Sequence, residues 1–136
     1  METFNKITTA IEQNNIDEVR QFILNGFAVN IPDENGASIL FYSIMQGDLD
    51  IIRLLLEKGA DPNFVAQEPA ASIYAEKPLD FAQQLRFITD WDKYHPIVRL
   101  LQEFGATDFD GQADISADIV EIEQRARQWQ LQNSGN

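Results

Sequence analysis

The sequence predicts an all-α solenoid of about three helix-turn-helix repeats, closed by a C-terminal capping helix. Three observations carry that expectation. A block of residues recurs at a spacing of 33, and each copy ends in a glycine after an amphipathic run. Each copy also carries an apolar face that stays wet unless a neighbouring copy covers it, so the copies must stack to fold.

The elements follow in chain order. In the first unit, about residues 4–31, Val19-Arg20, Phe22-Ile23, Gly26 and Asn30 stand 33 positions before Ile52-Arg53, Leu55-Leu56, Gly59 and Asn63 of the second unit, residues 32–64. Lys77 to Ala82 repeats the register of Ser38 to Ser43, and Val98 to Ala106 repeats that of Ile52 to Ala60, which defines a third unit over 65–109. Gly59 and Gly105 are 46 residues apart, so the third unit carries 13 extra residues. Alignment places six of them in a hairpin within Val65–Glu76 and seven in a loop between paired helices within Leu85–His95. Gly26, Gly59 and Gly105 suit the left-handed residue that ends a helix. Pro78 and Pro96 fit a first helical turn, where a missing N–H costs nothing. Ile51, Ile52, Leu54, Leu55 and Leu56 make a helix apolar on most of its circumference, as expected between two neighbours. In the tail, residues 110–136, Asp110-Gly111-Gln112 reads as a turn and Asp114 or Ser116 as a cap for a helix to about Gln132. Its Ile115, Ile119, Ile122, Ala126 and Trp129 form one stripe at helical spacing, and Arg125 and Arg127 near its end complement the helix dipole. A cap over the last repeat is the expected role. A dimerisation or partner-docking helix is the alternative.

The second unit resembles an ankyrin repeat. The residues that carry the likeness are Asp33-x-x-Gly36, the helix start Ser38-Ile39-Leu40-Phe41, the mid-repeat Gly47, Leu54-Leu55-Leu56 and Gly59-Ala60-Asp61-Pro62-Asn63. Ile39 and Phe41 stand where the family has Pro and His, which questions the usual polar tie at the helix start. Phe27 and Ala28 stand where Ala and Asp are typical, which marks the first unit as a cap. The resemblance implies a non-catalytic protein-protein interaction module. Such a module would bind a partner through a concave face of hairpin tips and first helices. Carried over position by position, that face is Glu12 and Gln13, then Glu34, Asn35, Ala37, Met45 and Gln46, then Ile73, Tyr74, Glu76, Gln84 and Leu85. None is basic. The set suits a partner with a basic rim and a small apolar anchor. A general solubilising acidity is the competing reading. Asn30 and Asn63 resemble a hydroxylation position of some family members, although an Asn bonding its own turn is the plainer expectation.

Composition narrows the function classes. The 136 residues include 22 acidic and 10 basic side chains, a net charge of -12. Such a chain repels phosphate backbones and anionic lipid, so neither nucleic acid nor membrane is an expected partner. Zero Cys excludes disulfides, thiolate metal sites and thiol nucleophiles. No secretory signal is visible at Met1–Lys6, and a cytoplasmic location is the default expectation. His95, the single His, has no partner motif for acid–base work, and a capping or surface role is expected. The carboxylates show no ligand spacing, so no metal, cofactor or catalytic residue is expected. Long loops in compact domains are usually functional, and the insertions hold aromatics. Trp91 and Tyr94 therefore join the candidate partner-binding residues, with patching of the core by the insertions left open. The expected protein is a monomer or weak dimer serving as an adaptor. The alternative is an immunity protein or inhibitor that neutralises a basic toxin or effector enzyme.

Overall fold

The computed structural model describes residues 2–108 and, in the tail, Arg127, Gln128 and Leu131. Its helices are α1 (Glu2–Glu12), α2 (Ile16–Leu24), α3 (Ile39–Gln46), α4 (Leu49–Glu57), the short α5 (Ala70–Ile73), α6 (Pro78–Ile88) and α7 (Trp91–Glu103). Three antiparallel pairs, α1–α2, α3–α4 and α6–α7, stack side by side. One layer runs α1, α3, α6 and the other α2, α4, α7. The fold is the all-α solenoid that the sequence predicts.

Local chemistry sets the helix boundaries. The second helix of each pair starts on a side-chain acceptor: Asn15 takes the N–H of Glu18, Asp48 those of Asp50 and Ile51, and Asp90 that of Lys93. Each such helix ends in the same backbone closure. Phe27, Ala60 and Ala106 donate back to the carbonyls of Phe22, Leu55 and Leu101 at 3.0, 2.9 and 2.9 Å. This closure requires a left-handed residue just before the donor, and Gly26, Gly59 and Gly105 supply it at φ 97°, 98° and 89°.

Packing divides the core at the middle repeat. Leu40, Phe41, Ile44, Ile52 and Leu56 face the third repeat, whereas Ile39, Ile51, Leu54 and Leu55 face the first, joined by Phe4, Ile7, Ile11 and Val19. This is why α4 is apolar nearly all round. Full burial of each such side chain stabilises the stack by roughly 1.5–3 kcal/mol. Aromatic contacts thread through the units, from Phe27 to Phe4, Tyr42, Tyr74, Phe81 and Phe41, with ring centroids 5.4–6.3 Å apart. Phe41, at the family's His position, stacks on Phe81, and the enclosed Ser38 Oγ has no hydrogen-bond partner among the described residues. Apolar stacking therefore replaces the polar tie.

Four sequence expectations are corrected. The seven residues placed in a loop within Leu85–His95 are helical. Helix α6 has 11 residues against 8 in α3, and α7 has 13 against 9 in α4, while both connections are two residues long. The extensions of three and four residues account for the whole insertion. Pro96 is consequently inside α7 rather than in its first turn, because the helix begins five residues earlier at Trp91. Asn30 and Asn63 do not bond their own turns. The Asn30 amide donates to the Gly59 carbonyl at 2.9 Å and its oxygen accepts the Asp61 N–H at 2.7 Å. Asn63 repeats the pattern on Gly105 at 2.9 Å and Thr107 at 2.8 Å. Last, the hairpin insertion within Val65–Glu76 is not an open loop. The Ala66 N–H donates to the Glu76 carbonyl, closing its neck at 2.7 Å, and it carries α5. The tail's turn at Asp110–Gln112, its capping residues and its apolar stripe lie outside the described residues. Arg127, Gln128 and Leu131 are helical and exposed.

Candidate partner-binding surface

The sequence-predicted residues gather at the two ends of the α1–α3–α6 layer. At one end are the hairpin tip Glu34-Asn35 and the folded insertion. The Ala70 N–H donates to the Asn35 carbonyl at 2.8 Å, and the Gln67 N–H to the Gly36 carbonyl at 2.9 Å, so the insertion lies directly against the tip. Ile73 projects from α5 at 65% exposure, with Glu76 exposed at the insertion's neck. Tyr74 is half-buried, its ring 6.3 Å from Tyr42 and 5.4 Å from Phe81. It packs against the core shared by the second and third repeats.

Asp33 organises this end. Its carboxylate accepts the N–H groups of Asn35 and Ala37 at 3.0 and 3.1 Å and the hydroxyl of Tyr42. Burial, followed by the bond to Asp33, pushes the Tyr42 phenol up to about 12. Ala37 itself is fully enclosed behind the tip.

At the other end, α1 and α3 finish together. Glu12 and Gln13 are exposed, and the Gln46 amide reaches Asn14 Oδ1 at 3.4 Å. Met45 is exposed, and its carbonyl accepts the Tyr94 hydroxyl at 2.9 Å. That bond and its burial at 4% exposure remove Tyr94 from any accessible surface, which corrects the expectation that it contacts a partner. The cause is the helical extension: Tyr94, Ile97, Val98 and Leu101 share one buried face of α7. Lys93 lies across Gly47, where an added Cβ would stand 2.3 Å from Lys93 Cε. Along α6, Gln84 is exposed and Leu85 half-buried against the core.

Trp91 is half-exposed in a stack the sequence did not reveal. Its ring lies parallel to that of His95 at 5.7 Å and edge-on to that of Phe87 at 5.3 Å, with the Arg86 guanidinium 4.4 Å from its centre. Arg86 is 1% exposed and its Nη1 is 3.2 Å from His95 Nδ1. Guanidinium nitrogens only donate, so Nδ1 is the acceptor and the proton of the neutral ring sits on Nε2. His95 is thus a half-buried structural partner rather than a cap or a free surface group. Arg86 was findable: it stands in register with Leu79 and Ala82, a core position occupied by a cation.

The described residues hold no group of three or more His, Asp or Glu side chains placed to bind a metal ion. No helix among them is long and apolar enough to cross a membrane.

Comparison with known proteins agrees with the geometry. Residues 5–66 match the family model for ankyrin repeats in three copies. The chain is 34% identical over 62 residues to the human (Homo sapiens) DNA-binding protein RFXANK, covering 45% of this chain and 24% of that one. It is 28% identical over 71 residues to the putative ankyrin repeat protein FPV222 of fowlpox virus, 52% of this chain and 10% of the other. A third match, 27% over 79 residues, is to the ankyrin repeat-containing protein P1E11.10 of Schizosaccharomyces pombe, at 58% and 38%. The chain spans well under half the length of each of these relatives. Repeated helix pairs, glycine-closed second helices and the matched segment lead to one assignment: residues 5–66 belong to the ankyrin-repeat family, a protein-protein interaction architecture.

Proposed function

We propose that the chain is a non-catalytic binding module that holds a protein partner with a basic rim. The contact surface is the concave face of the stack together with the folded hairpin insertion. The observation that carries this reading is the chemistry of the candidates that are exposed or, for Gln46, half-exposed. Glu12, Gln13, Glu34, Asn35, Met45, Gln46, Ile73, Glu76 and Gln84 offer carboxylates, amides and two apolar side chains, and no cation. Rigid helices and a closed insertion hold these groups in place, so association costs little ordering. Trp91 adds an aromatic anchor at the α6–α7 end.

A salt-titrated pull-down tests the reading. Capture of a cationic protein should be fast at low ionic strength and should slow steeply as salt is raised. The paired reversal Glu34→Lys with Glu76→Lys should lower the association rate several-fold with the melting temperature unchanged. Salt-independent capture, unaffected by the reversal, would rule out charge steering. The net charge of -12 also favours a second reading, an inhibitor of one basic toxin or effector enzyme. That reading requires the captured enzyme to lose activity stoichiometrically.

A further inference from the structure

We propose that Asn35-Gly36, at the hairpin tip of the second repeat, is a deamidation site kept latched by the folded insertion of the third. Asparagine followed by glycine loses its side-chain amide readily, because glycine has no Cβ to hinder attack by its own backbone nitrogen. The Gly36 nitrogen bonds to Asn35 Cγ, the Cγ–Nδ2 bond breaks, and the Gly36 proton leaves with the amide as ammonia. Water then opens the succinimide at either of its carbonyls, leaving aspartate or isoaspartate at position 35.

The latch acts on one peptide plane. The peptide joining the two residues carries the Asn35 carbonyl and the Gly36 N–H, and both are tied. The carbonyl accepts the Ala70 N–H at 2.8 Å, and the Gly36 N–H donates to the Asp33 carbonyl at 3.0 Å. Neither Glu34 nor Asn35 has a positive φ, so the turn is type I, which holds the Gly36 nitrogen rotated away from Asn35 Cγ. Ring closure therefore requires rotation about the Asn35 Cα–C bond, which breaks both ties. The insertion opposes that rotation a second time. The Gly36 carbonyl accepts the Gln67 N–H at 2.9 Å, and the Gln67 carbonyl oxygen lies 2.5 Å from where a Gly36 Cβ would stand.

The chain holds its own reference. Asn25-Gly26 is the same dipeptide with the same local bond, from the Gly26 N–H to the Ile23 carbonyl at 3.0 Å, and with Gly26 at φ 97° against 88° for Gly36. Asn25 and Asn35 are both exposed. At Gly26, however, nothing lies within 4 Å of where a Cβ would stand. What distinguishes Asn35-Gly36 is the insertion lying over it.

Conversion adds a negative charge at the tip, and isoaspartate also adds a methylene to the backbone of the turn, so the ties to Ala70 and Gln67 lose their register. A partner of the proposed binding surface would then meet an altered tip. The reaction itself needs no partner, so it stands or falls apart from the binding role.

The full chain held at mildly alkaline pH tests this, with amide-to-acid conversion at each asparagine followed by peptide mass spectrometry and isoaspartate resolved by chromatography. In urea the two Asn-Gly sites should convert at similar rates. In the folded chain Asn35 should convert at least about tenfold more slowly than Asn25, because it reacts only through local opening. Tyr74→Ala, which strips the insertion's ring contacts with Tyr42 and Phe81, should narrow that gap and leave the Asn25 rate unchanged. Hydrogen exchange of the Ala70 amide should rise together with the Asn35 rate, in this variant or, where it fails to fold, in the unaltered chain under sub-denaturing urea. Equal folded rates at Asn35 and Asn25 would overturn the latch, as would faster Ala70 exchange without faster conversion at Asn35. An Asn35 that keeps its amide in the unfolded chain would overturn the site itself.

Discussion

Asn63 makes three bonds across a repeat boundary, one from its amide to Gly105 and two to its oxygen, from the N–H and the hydroxyl of Thr107. Asn63→Ala removes all three and leaves a part-buried N–H unpaired, so it should destabilise the fold by about 1–3 kcal/mol. Urea unfolding at constant m checks this. Asn63→Asp keeps the acceptor but loses the amide donor to Gly105, and should not restore the loss in full. Tyr42 gives a residue-scale pH effect. Its folded value of about 12 lies above the ordinary 10.0, so the folded chain holds that proton more tightly than the unfolded chain. The contribution is complete below pH 10 and is lost as pH rises towards about 12. Spectroscopic titration should show the Tyr42 phenol titrating late, as does that of Tyr94, which burial also raises, and Tyr42→Phe should remove the Tyr42 step and its share of the alkaline destabilisation. The carbonyl ties of Asn30 and Asn63 were hidden from sequence reading because their partners lie in the next repeat. The side chain's own turn was the nearer and wrong candidate.

Glycine shows how an element depends on its neighbour. Gly36 sits at φ 88° with the Gln67 carbonyl oxygen only 2.5 Å from where a Cβ would stand. Gly36→Ala would therefore strain the backbone and push the insertion off the tip, at a cost of at least about 1 kcal/mol. Gly26→Ala meets nothing within 4 Å, so it should cost only the left-handed strain. Comparing the two by thermal melting separates contact from conformation. The ends of the second helices were legible in the sequence because closing glycines act within a few residues. The seven-residue insertion was misread because an alignment gap gives its size and not its conformation. The spacing of Tyr94, Ile97, Val98 and Leu101 extends the α7 stripe backwards by a turn. Tyr94→Phe should accordingly lower stability by about 1 kcal/mol through the lost bond to Met45, with no partner needed to see it.

For the whole molecule, charge acts with two signs. A net charge of -12 on a small stack repels itself, so added salt should raise the melting temperature by screening. The same salt should slow capture of a cationic partner. Measuring both along one titration distinguishes a binding role for the acidity from a purely solubilising one, which would leave association unchanged. The stack and its family were readable from the 33-residue recurrence, because each unit must present the same faces to its neighbours. The binding surface was less readable. Exposure of a position such as Tyr74 or Tyr94 depends on how far the adjoining repeat overhangs it, which no periodicity within one unit encodes.

The third repeat is taller than the second, yet its helices still turn back through two residues, as those of the second do. A helix rotates about 100° per residue, so lengthening by three or four residues returns its end to nearly the same angular phase. The turn therefore meets the same geometry one storey higher. Growth by two residues per helix would leave the ends roughly 200° out of phase, with the turn aimed at solvent. Height in this fold is thereby quantised in whole turns. A functional extension can be added to one repeat without re-designing the connection, provided that it comes in units of about 3.6 residues on each helix.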